Sequence, residues 1–132
     1  MIKNINIKTR SRTEFVNITS EVRKIVSESG VKSGVCYIYV PHTTAGVTIN
    51  EGADPSVVTD IVSSLNKLIP HHANYLHMEG NSDAHIKTSL VGPSETVIIE
   101  GGKLLLGTWQ AIFFCEFNGA RNRSVMVKVM EE

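Results

Sequence analysis

The beginning of the chain carries two short segments in which apolar residues recur at strand spacing. Ile5 and Ile7 alternate with polar residues, and residues 15–18 resume a β-prone pattern after the polar residues 9–14. A period of two is typical of a strand with one buried face. The pattern therefore predicts two strands joined by a hairpin-like loop.

The next apolar pattern has the spacing of a helix. Residues 22–29 place their apolar members on one face. Thr19 or Ser20 is suited to cap the N-terminus of such a helix, and Gly30 tolerates the left-handed conformation that often ends one. We predict a helix that ends at Gly30.

A buried strand and a second helix follow. Residues 34–40 form an apolar run rich in β-branched and aromatic residues, which predicts a strand buried on both faces. Residues 43–50 are a second β-prone segment. Asp54 and Pro55 then provide an N-cap and a first helical residue. The apolar stripe of this helix consists of Val58, Ile61, Leu65 and Leu68.

The rest of the chain is predicted to be a polar loop followed by strands. Residues 70–85 keep no regular period, and a polar loop of this length in a small domain is usually functional. Strands are predicted at residues 86–91, 96–100, 103–117 and 124–130, with a turn at Gly101 and Gly102. Early helices and late strands indicate an α+β fold in which residues 1–132 form a single domain with two main helices.

Composition narrows the classes of partner. The chain has 13 basic and 13 acidic residues, so its charge favours neither nucleic acid nor an anionic membrane as a partner. No apolar stretch approaches the roughly 18 residues of a membrane span, and the N-terminus lacks the apolar core of a signal peptide. Cys36 and Cys115 lie in apolar runs, which predicts buried thiols in a reducing compartment. We expect a cytoplasmic protein.

The histidines are the strongest chemical signal. All of them fall at strand ends or in the long loop: His42, His71, His72, His77 and His85. Imidazole is a common ligand of zinc, and an open catalytic site needs about three protein ligands. His42, His77 and His85 are therefore predicted to bind a metal ion, although their spacing matches no standard zinc motif. The alternative for each is a surface or capping histidine.

Other polar residues are candidates for binding a substrate or for catalysis. Thr44 and Asn50 lie on the β-prone segment beside His42, and Glu51 is a possible general base. Lys87, Arg121 and Arg123 are suited to phosphate groups, although surface solvation is the favoured alternative for each of them. Trp109 is suited to stacking on a heterocycle with Gln110 reading its edge, or to a place in the core.

Several short motifs together resemble one family. They are His42-Thr43-Thr44, Asn50-Glu51, Asp54-Pro55, Glu79-Gly80, residues 85–92 and residues 107–110. This set resembles the YjbQ-like family, which is named for secondary thiamine-phosphate synthase activity, and it spans nearly the whole chain. The sequence departs from the family pattern at two places, where Asp83 and Ala120 replace prolines.

The resemblance implies a YjbQ-like fold, a β-sandwich-like core of mixed or antiparallel sheets, and a homotrimer with its ligand site near subunit boundaries. It also implies a transferase that joins an aminopyrimidine methyl diphosphate to a thiazole phosphate and releases pyrophosphate. The catalytic residues would be His42, His77, His85, Glu51 and Lys87. The substrate-binding residues would be Thr44, Asn50, Thr108, Trp109, Gln110 and Arg121. A divalent metal ion, zinc or magnesium, would be the cofactor.

Two other functions fit the same residues. One is a metal-dependent hydrolase of a small phosphorylated metabolite, with Glu51 or Asp83 as the general base. The other is a trimeric protein that binds a metal or metabolite without catalysis. Release of pyrophosphate without an acceptor would favour the hydrolase, and tight binding without turnover would favour the binding protein.

Overall fold

A computed structural model describes residues 1–132, which form eight strands and three helices. The strands are β1 (Ile2–Lys8), β2 (Glu14–Asn17), β3 (Ser33–Tyr39), β4 (Ala45–Glu51), β5 (Ser94–Glu100), β6 (Lys103–Leu104), β7 (Gln110–Glu116) and β8 (Asn122–Glu131). The helices are α1 (Thr19–Ser29), α2 (Pro55–Leu68) and α3 (Ser82–Val91).

The strands form two antiparallel sheets that share one core. The larger sheet has the order β1-β8-β3-β5-β6 and the smaller one the order β2-β7-β4. Buried side chains from both sheets meet in one cluster, including Ile38 and Val127 from the larger sheet and Phe114 from the smaller. Val22 and Val26 of α1 join this cluster. The structure is thus the predicted α+β fold with a sandwich-like core, and its sheets are wholly antiparallel.

The predicted N-terminal hairpin is wrong. β1 pairs with β8 in the larger sheet, whereas β2 pairs with β7 in the smaller one. Residues 9–13 therefore carry the chain from one sheet to the other. β1 has one buried face, whereas β2 is only partly buried. The pattern of apolar residues predicted both strands, but it says nothing about which partner a strand takes.

The strand predicted at residues 86–91 is also wrong, because these residues belong to α3. Its buried residues are Asp83, Ala84, Lys87 and Thr88, a spacing that places them on one face of a helix. Most of that face is polar, so a reading of apolar periodicity could not find it. The chain accordingly has three helices instead of two.

Two further strand predictions need correction. β3 is buried on one face only, since Tyr37 and Tyr39 are about half exposed. The predicted strand at residues 103–117 is two strands, β6 and β7, separated by residues 105–109. The turn at Gly101 and Gly102 is confirmed, with φ angles of 60° and 77°.

The helix ends largely follow the sequence. Asp54 caps α2 by accepting a hydrogen bond from Ser56 N at 2.9 Å, as predicted. Gly30 ends α1 with φ 72°. The N-terminal cap of α1 differs from the prediction, because Asn17 Oδ1 accepts the hydrogen bond from Thr19 N at 3.0 Å.

Both cysteines are buried and unpaired, as predicted. Burial raises the pKa of Cys36 to about 11 and raises that of Cys115 further. Neither thiol is therefore a nucleophile at neutral pH. None of the three helices combines the length and the hydropathy of a membrane-spanning helix.

Candidate functional site

Three separate segments of the chain meet around a cavity of 280 Å³ that is lined by no hydrophobic residue. The segments are the β3–β4 connection, the loop before α3 with the first turn of α3, and the β7–β8 connection with the start of β8. The lining residues are Thr43, Thr44, His77, Glu79, Asn81, His85, Asn118, Arg121 and Arg123. Three larger hollows on the surface contain none of the predicted site residues. A fourth larger hollow shares His77 and His85 with this cavity but contains no other predicted site residue and no arginine. The cavity, which we call the polar cavity, is therefore the candidate site.

Arg123 is the buried cation of the polar cavity. It is 8% exposed, and its Nε donates to Glu116 Oε1 at 2.8 Å. Its Nη2 donates to Glu116 Oε2 and to Thr44 Oγ1, the latter at 2.8 Å. Nη1 has no protein partner. The guanidinium is thus fixed by a bidentate ion pair while one nitrogen stays free to donate to a ligand.

The carboxylate opposite this arginine is wholly buried. Burial alone would raise the pKa of Glu116, but hydrogen bonds from Arg123, Asn118 N and Thr9 Oγ1 outweigh it and hold the pKa below its usual value. Glu116 is therefore ionised at neutral pH. Its charge compensates that of Arg123 and makes a buried cation possible beside the cavity.

Arg121 provides the second guanidinium. Its Nε donates to Asn118 O at 2.7 Å, and its two terminal nitrogens have no protein partner. The side chain is exposed, so its charge is not compensated by a buried acid. Together, Arg121 and Arg123 offer several N–H donors to one ligand, a set that suits the oxygens of a phosphate group.

His77 and His85 are brought together at the cavity, as predicted. Their rings meet edge to face with centroids 5.4 Å apart, and His77 Nε2 lies 3.8 Å from Glu79 Oε1. His85 lies in the first turn of α3, where the helix dipole is positive. Asn81 precedes this helix, and its buried Oδ1 has no hydrogen-bond partner. The site thus combines groups that can transfer protons with groups that attract anions.

His42 does not join the other two histidines. Its Nε2 accepts a hydrogen bond from Ser124 N at 3.1 Å, which makes Nδ1 the protonated nitrogen. Burial and the nearby Arg123 charge lower the pKa of His42, so the ring is neutral. No group of three or more His, Cys, Asp or Glu side chains in the chain is arranged to hold a metal ion. The three predicted metal ligands are therefore not assembled within one chain.

Lys87 lies apart from the cavity lining, in a second buried network. Its Nζ donates to Asp83 Oδ2 at 3.0 Å and to Asn66 Oδ1 at 2.8 Å. Asp83 Oδ1 in turn accepts from Arg12 Nη2 at 2.9 Å. Asp83, one of the two departures from the family pattern, thus fixes α3 against the rest of the fold. Two of the three ammonium N–H groups of Lys87 are used in this network, and its side chain is 3% exposed and does not line the cavity.

The remaining predicted residues lie at the opposite end of the smaller sheet. Ala45 pairs with Glu116 beside the cavity, whereas Glu51 pairs with Gln110 at the far end of the same ladder. Six residues of strand separate the two ends, which is about 20 Å. This far end, which we call the aromatic end, contains Asn50, Glu51, Thr108, Trp109 and Gln110. Trp109 is 64% exposed, so its prediction as a core residue is wrong.

Comparison with known proteins identifies the family. The model of the family described as "UPF0047 protein YjbQ-like" matches residues 3–132. The chain belongs to the YjbQ-like UPF0047 family.

Relatives of this YjbQ-like chain are found in archaea and bacteria. It is 58% identical to UPF0047 protein MJ1081 of Methanocaldococcus jannaschii, over 98% of this chain and 94% of the relative. It is 50% identical to UPF0047 protein YugU of Bacillus subtilis, over 98% and 99% of the two chains. The names of these two relatives give the UPF0047 family and no activity.

Solved structures have the same fold. A YjbQ/UPF0047 protein from Clostridium acetobutylicum superposes with a TM-score of 0.96 at 52% identity, covering 97% of this chain and 99% of its own. A protein of unknown function from Sulfolobus solfataricus has a TM-score of 0.96 at 32% identity, covering 100% and 97%. The arrangement of strands and helices is therefore that of the YjbQ-like family.

Sequence reasoning missed several residues of this YjbQ-like site. Asn81 and Asn118 line the cavity but stand in loops without any marked pattern. Glu116 was detectable in principle, because it is the one charged residue in the apolar run of residues 111–117. A carboxylate in such a run must be paired. Its partner Arg123 lies between polar residues at the start of β8, where no apolar pattern marks it as buried.

Proposed function

We propose that this chain is a transferase with thiamine-phosphate synthase activity, which joins an aminopyrimidine methyl diphosphate to a thiazole phosphate and releases pyrophosphate. The polar cavity carries the proposal, because two arginines with free N–H groups converge there with two histidines and no apolar side chain. Such a lining suits a phosphate or diphosphate group and does not suit an aromatic ring. We place the diphosphate of the pyrimidine substrate in it.

The proposed reaction needs stabilisation of the leaving group more than a strong base. The thiazole nitrogen attacks the methylene carbon while the carbon–oxygen bond to the diphosphate breaks, and the electron pair leaves with pyrophosphate. Arg121 and Arg123 Nη1 donate to the oxygens on which this negative charge develops. His77 and His85 are placed to donate a proton to the departing pyrophosphate.

A divalent metal ion is retained in the proposal, with a different ligand set from the three predicted histidines. Magnesium is usually held by one or two carboxylates together with substrate phosphates. Glu79 is the carboxylate on the lining of the cavity, with His77 beside it. These residues fit an ion that is bound jointly by the protein and the diphosphate. The ion would add positive charge where pyrophosphate departs.

The aromatic rings of the substrates need a second surface. The aromatic end offers the exposed Trp109 with Gln110 and Asn50, but it lies about 20 Å from the polar cavity of the same chain. We propose that the chain forms a homotrimer in which the aromatic end of one copy adjoins the polar cavity of the next. Head-to-tail contacts of this kind close into rings, and each ring of three would contain three composite sites.

Mixing two inactive variants is expected to restore activity if sites are shared between copies. Arg121→Gln removes a cation from the polar cavity, and Trp109→Ala removes the aromatic ring from the other end. In a random equal mixture, about a quarter of composite sites receive an intact half from each parent (one half multiplied by one half). Thiamine phosphate formation should therefore rise to about a quarter of the wild-type rate.

The mixing experiment needs proof that the chains exchange. Co-expression with two different affinity tags and sequential purification isolates oligomers that contain both variants. Recovery of activity in these mixed oligomers supports the composite site. Mixed oligomers without activity would overturn the composite site. A Trp109→Ala variant that is fully active by itself would also overturn it, because the aromatic end would then not be needed.

The reaction itself is tested by supplying both substrates to the purified wild-type protein with magnesium. We expect thiamine phosphate and pyrophosphate in equal amounts, measured by chromatography, with no pyrophosphate released when the thiazole phosphate is omitted. Pyrophosphate release that does not depend on the acceptor would overturn the transferase and favour the hydrolase. Tight binding of pyrophosphate without turnover of either kind would favour a binding protein.

A further inference from the structure

The hydroxyl group of Thr9, near the N-terminus, links the buried Glu116 to Arg121 in the wall of the polar cavity. Thr9 is 2% exposed and follows β1 directly, yet its contacts are with the other end of the chain. Its Oγ1 donates to Glu116 Oε1 at 2.8 Å and accepts a hydrogen bond from Arg121 N at 2.8 Å. Thr9 N donates to Arg121 O at 2.9 Å. Arg121 is therefore held at its backbone on both sides by a single residue.

Glu116 extends this arrangement to the rest of the wall. Its Oε2 accepts from Asn118 N at 2.9 Å, and its two oxygens together bind the Arg123 guanidinium. Three lining residues, Asn118, Arg121 and Arg123, are thus tied to one carboxylate, two directly and one through Thr9. Neither Glu116 nor Thr9 lines the cavity. Any effect of these two residues on a ligand must pass through the groups that they hold.

We propose that Thr9 and Glu116 are positioning residues that fix the spacing of the two guanidinium groups around a phosphate or diphosphate group. The hydroxyl of Thr9 suits this role because it has one hydrogen to donate and can accept at the same time. Its two hydrogen bonds fix the backbone of the exposed Arg121 relative to the buried carboxylate of Glu116. Without the hydroxyl, Arg121 keeps its charge and the hydrogen bond from Thr9 N to its carbonyl oxygen, but its own N–H loses the partner that links it to Glu116.

The chemistry of Thr9 can be separated from its volume. Thr9→Val keeps the shape and removes the hydroxyl, whereas Thr9→Ser keeps the hydroxyl and loses a methyl group. We expect Thr9→Val to weaken the binding of inorganic pyrophosphate roughly tenfold, as is usual for loss of a partner behind a direct ligand. Thr9→Ser should bind within about twofold of the wild type. Thr9→Ala also lacks the hydroxyl and should behave as Thr9→Val does.

Pyrophosphate binding is measured by isothermal titration calorimetry on the oligomer as purified, and Arg121 and Asn118 amide shifts are followed by NMR. Val97→Ala, a core truncation in β5 away from the cavity, is the control for loss of stability and should bind as the wild type does. In the activity assay, Thr9→Val should raise KM for the diphosphate substrate more than it lowers kcat. A general loss of stability would not produce this split.

The positioning role of Thr9 and Glu116 rests on the proposed function of the polar cavity. Different experimental results would contradict the positioning role and the proposed function. Wild-type protein that does not bind pyrophosphate would overturn the proposed function together with the inference. Wild-type protein that binds pyrophosphate, with Thr9→Val and Thr9→Ala binding equally well, would overturn the positioning role alone. Equal weakening by Thr9→Ser and Thr9→Val would also overturn it, because the hydroxyl would then not matter.

Discussion

Replacing Asp83 with alanine is expected to lower the free energy of unfolding by about 3–5 kcal/mol. Asp83 is 1% exposed and Lys87 is 2% exposed, and their charged groups lie 3.0 Å apart. The substitution leaves the Lys87 ammonium group buried with Asn66 as its remaining partner. A buried charge that loses its counterion is strongly destabilising because water no longer solvates it. Urea denaturation followed by circular dichroism measures the change.

A second replacement tests whether the buried charge causes this loss. Lys87→Met in the Asp83→Ala background removes the ammonium group and keeps much of its volume, so the double variant should recover a large part of the stability. Asp60→Ala, which removes an exposed carboxylate from α2, is the matched control and should change stability by less than about 0.5 kcal/mol. A double variant as unstable as the single one would contradict this explanation.

The loss of stability in Asp83→Ala is also expected to depend on pH, because Asp83 must be ionised to pair with Lys87. Burial acts to raise the pKa of Asp83, but its hydrogen bond and ion pair with Lys87 and the Arg12 charge outweigh burial and lower the pKa. A carboxylate with a lowered pKa stabilises the fold above its unfolded pKa, about 3.9, and the stabilisation is lost as pH falls through the folded value. The difference in the free energy of unfolding between wild type and Asp83→Ala should therefore be largest above about pH 4 and become smaller in stronger acid.

Replacing Arg121 with glutamine is expected to lower kcat/KM for thiamine phosphate formation by about 100- to 1000-fold, which is typical for loss of one donor to a developing negative charge. Glutamine keeps a polar side chain but removes the charge and the paired terminal nitrogens. Because the Arg121 side chain is exposed and its backbone contacts remain, the fold should be unaffected. Steady-state kinetics and a thermal unfolding curve separate the two effects.

Arg23→Gln serves as the control for this substitution. Arg23 is an exposed arginine on α1 and does not line the polar cavity, so its loss removes the same charge from the surface without touching the site. Activity within about twofold of the wild type is expected. If both variants lost activity equally, the effect would come from the net charge of the protein, and Arg121 would have no special place in catalysis.

The sequence predicted best those elements whose buried faces are apolar. α1, β4 and β8 follow from periodicity and turn residues, because burial of apolar side chains drives their formation. α2 has no buried residue, and Leu68 of its predicted stripe is 73% exposed, so the N-cap Asp54 and Pro55 predicted this helix as much as its apolar stripe did. α3 was missed because its buried face carries Asp83, Lys87 and Thr88. Burial of such residues depends on partners far away in the sequence, and local patterns contain no information about those partners.

Of the residues predicted for the candidate site, some lie together at the polar cavity and others do not. His77, His85, Thr44 and Arg121 were predicted and lie on one cavity, whereas His42 was predicted with them and instead accepts a hydrogen bond from a strand. Glu51 and Trp109 were predicted beside the histidines, but the antiparallel pairing of β4 with β7 places them at the opposite end. Residue type identified the chemistry, and sheet register decided which groups meet.

The wall of the polar cavity also has a consequence for folding. Thr9 contacts Glu116 and Arg121 across 107 and 112 residues of sequence, so these contacts close nearly the whole chain into a loop. A partly folded chain, with β1 and β8 not yet paired, lacks the contacts of Thr9 that fix Arg121 at the cavity. Ligand affinity is thus a property of the completely folded chain, and a ligand in the cavity must stabilise both termini together.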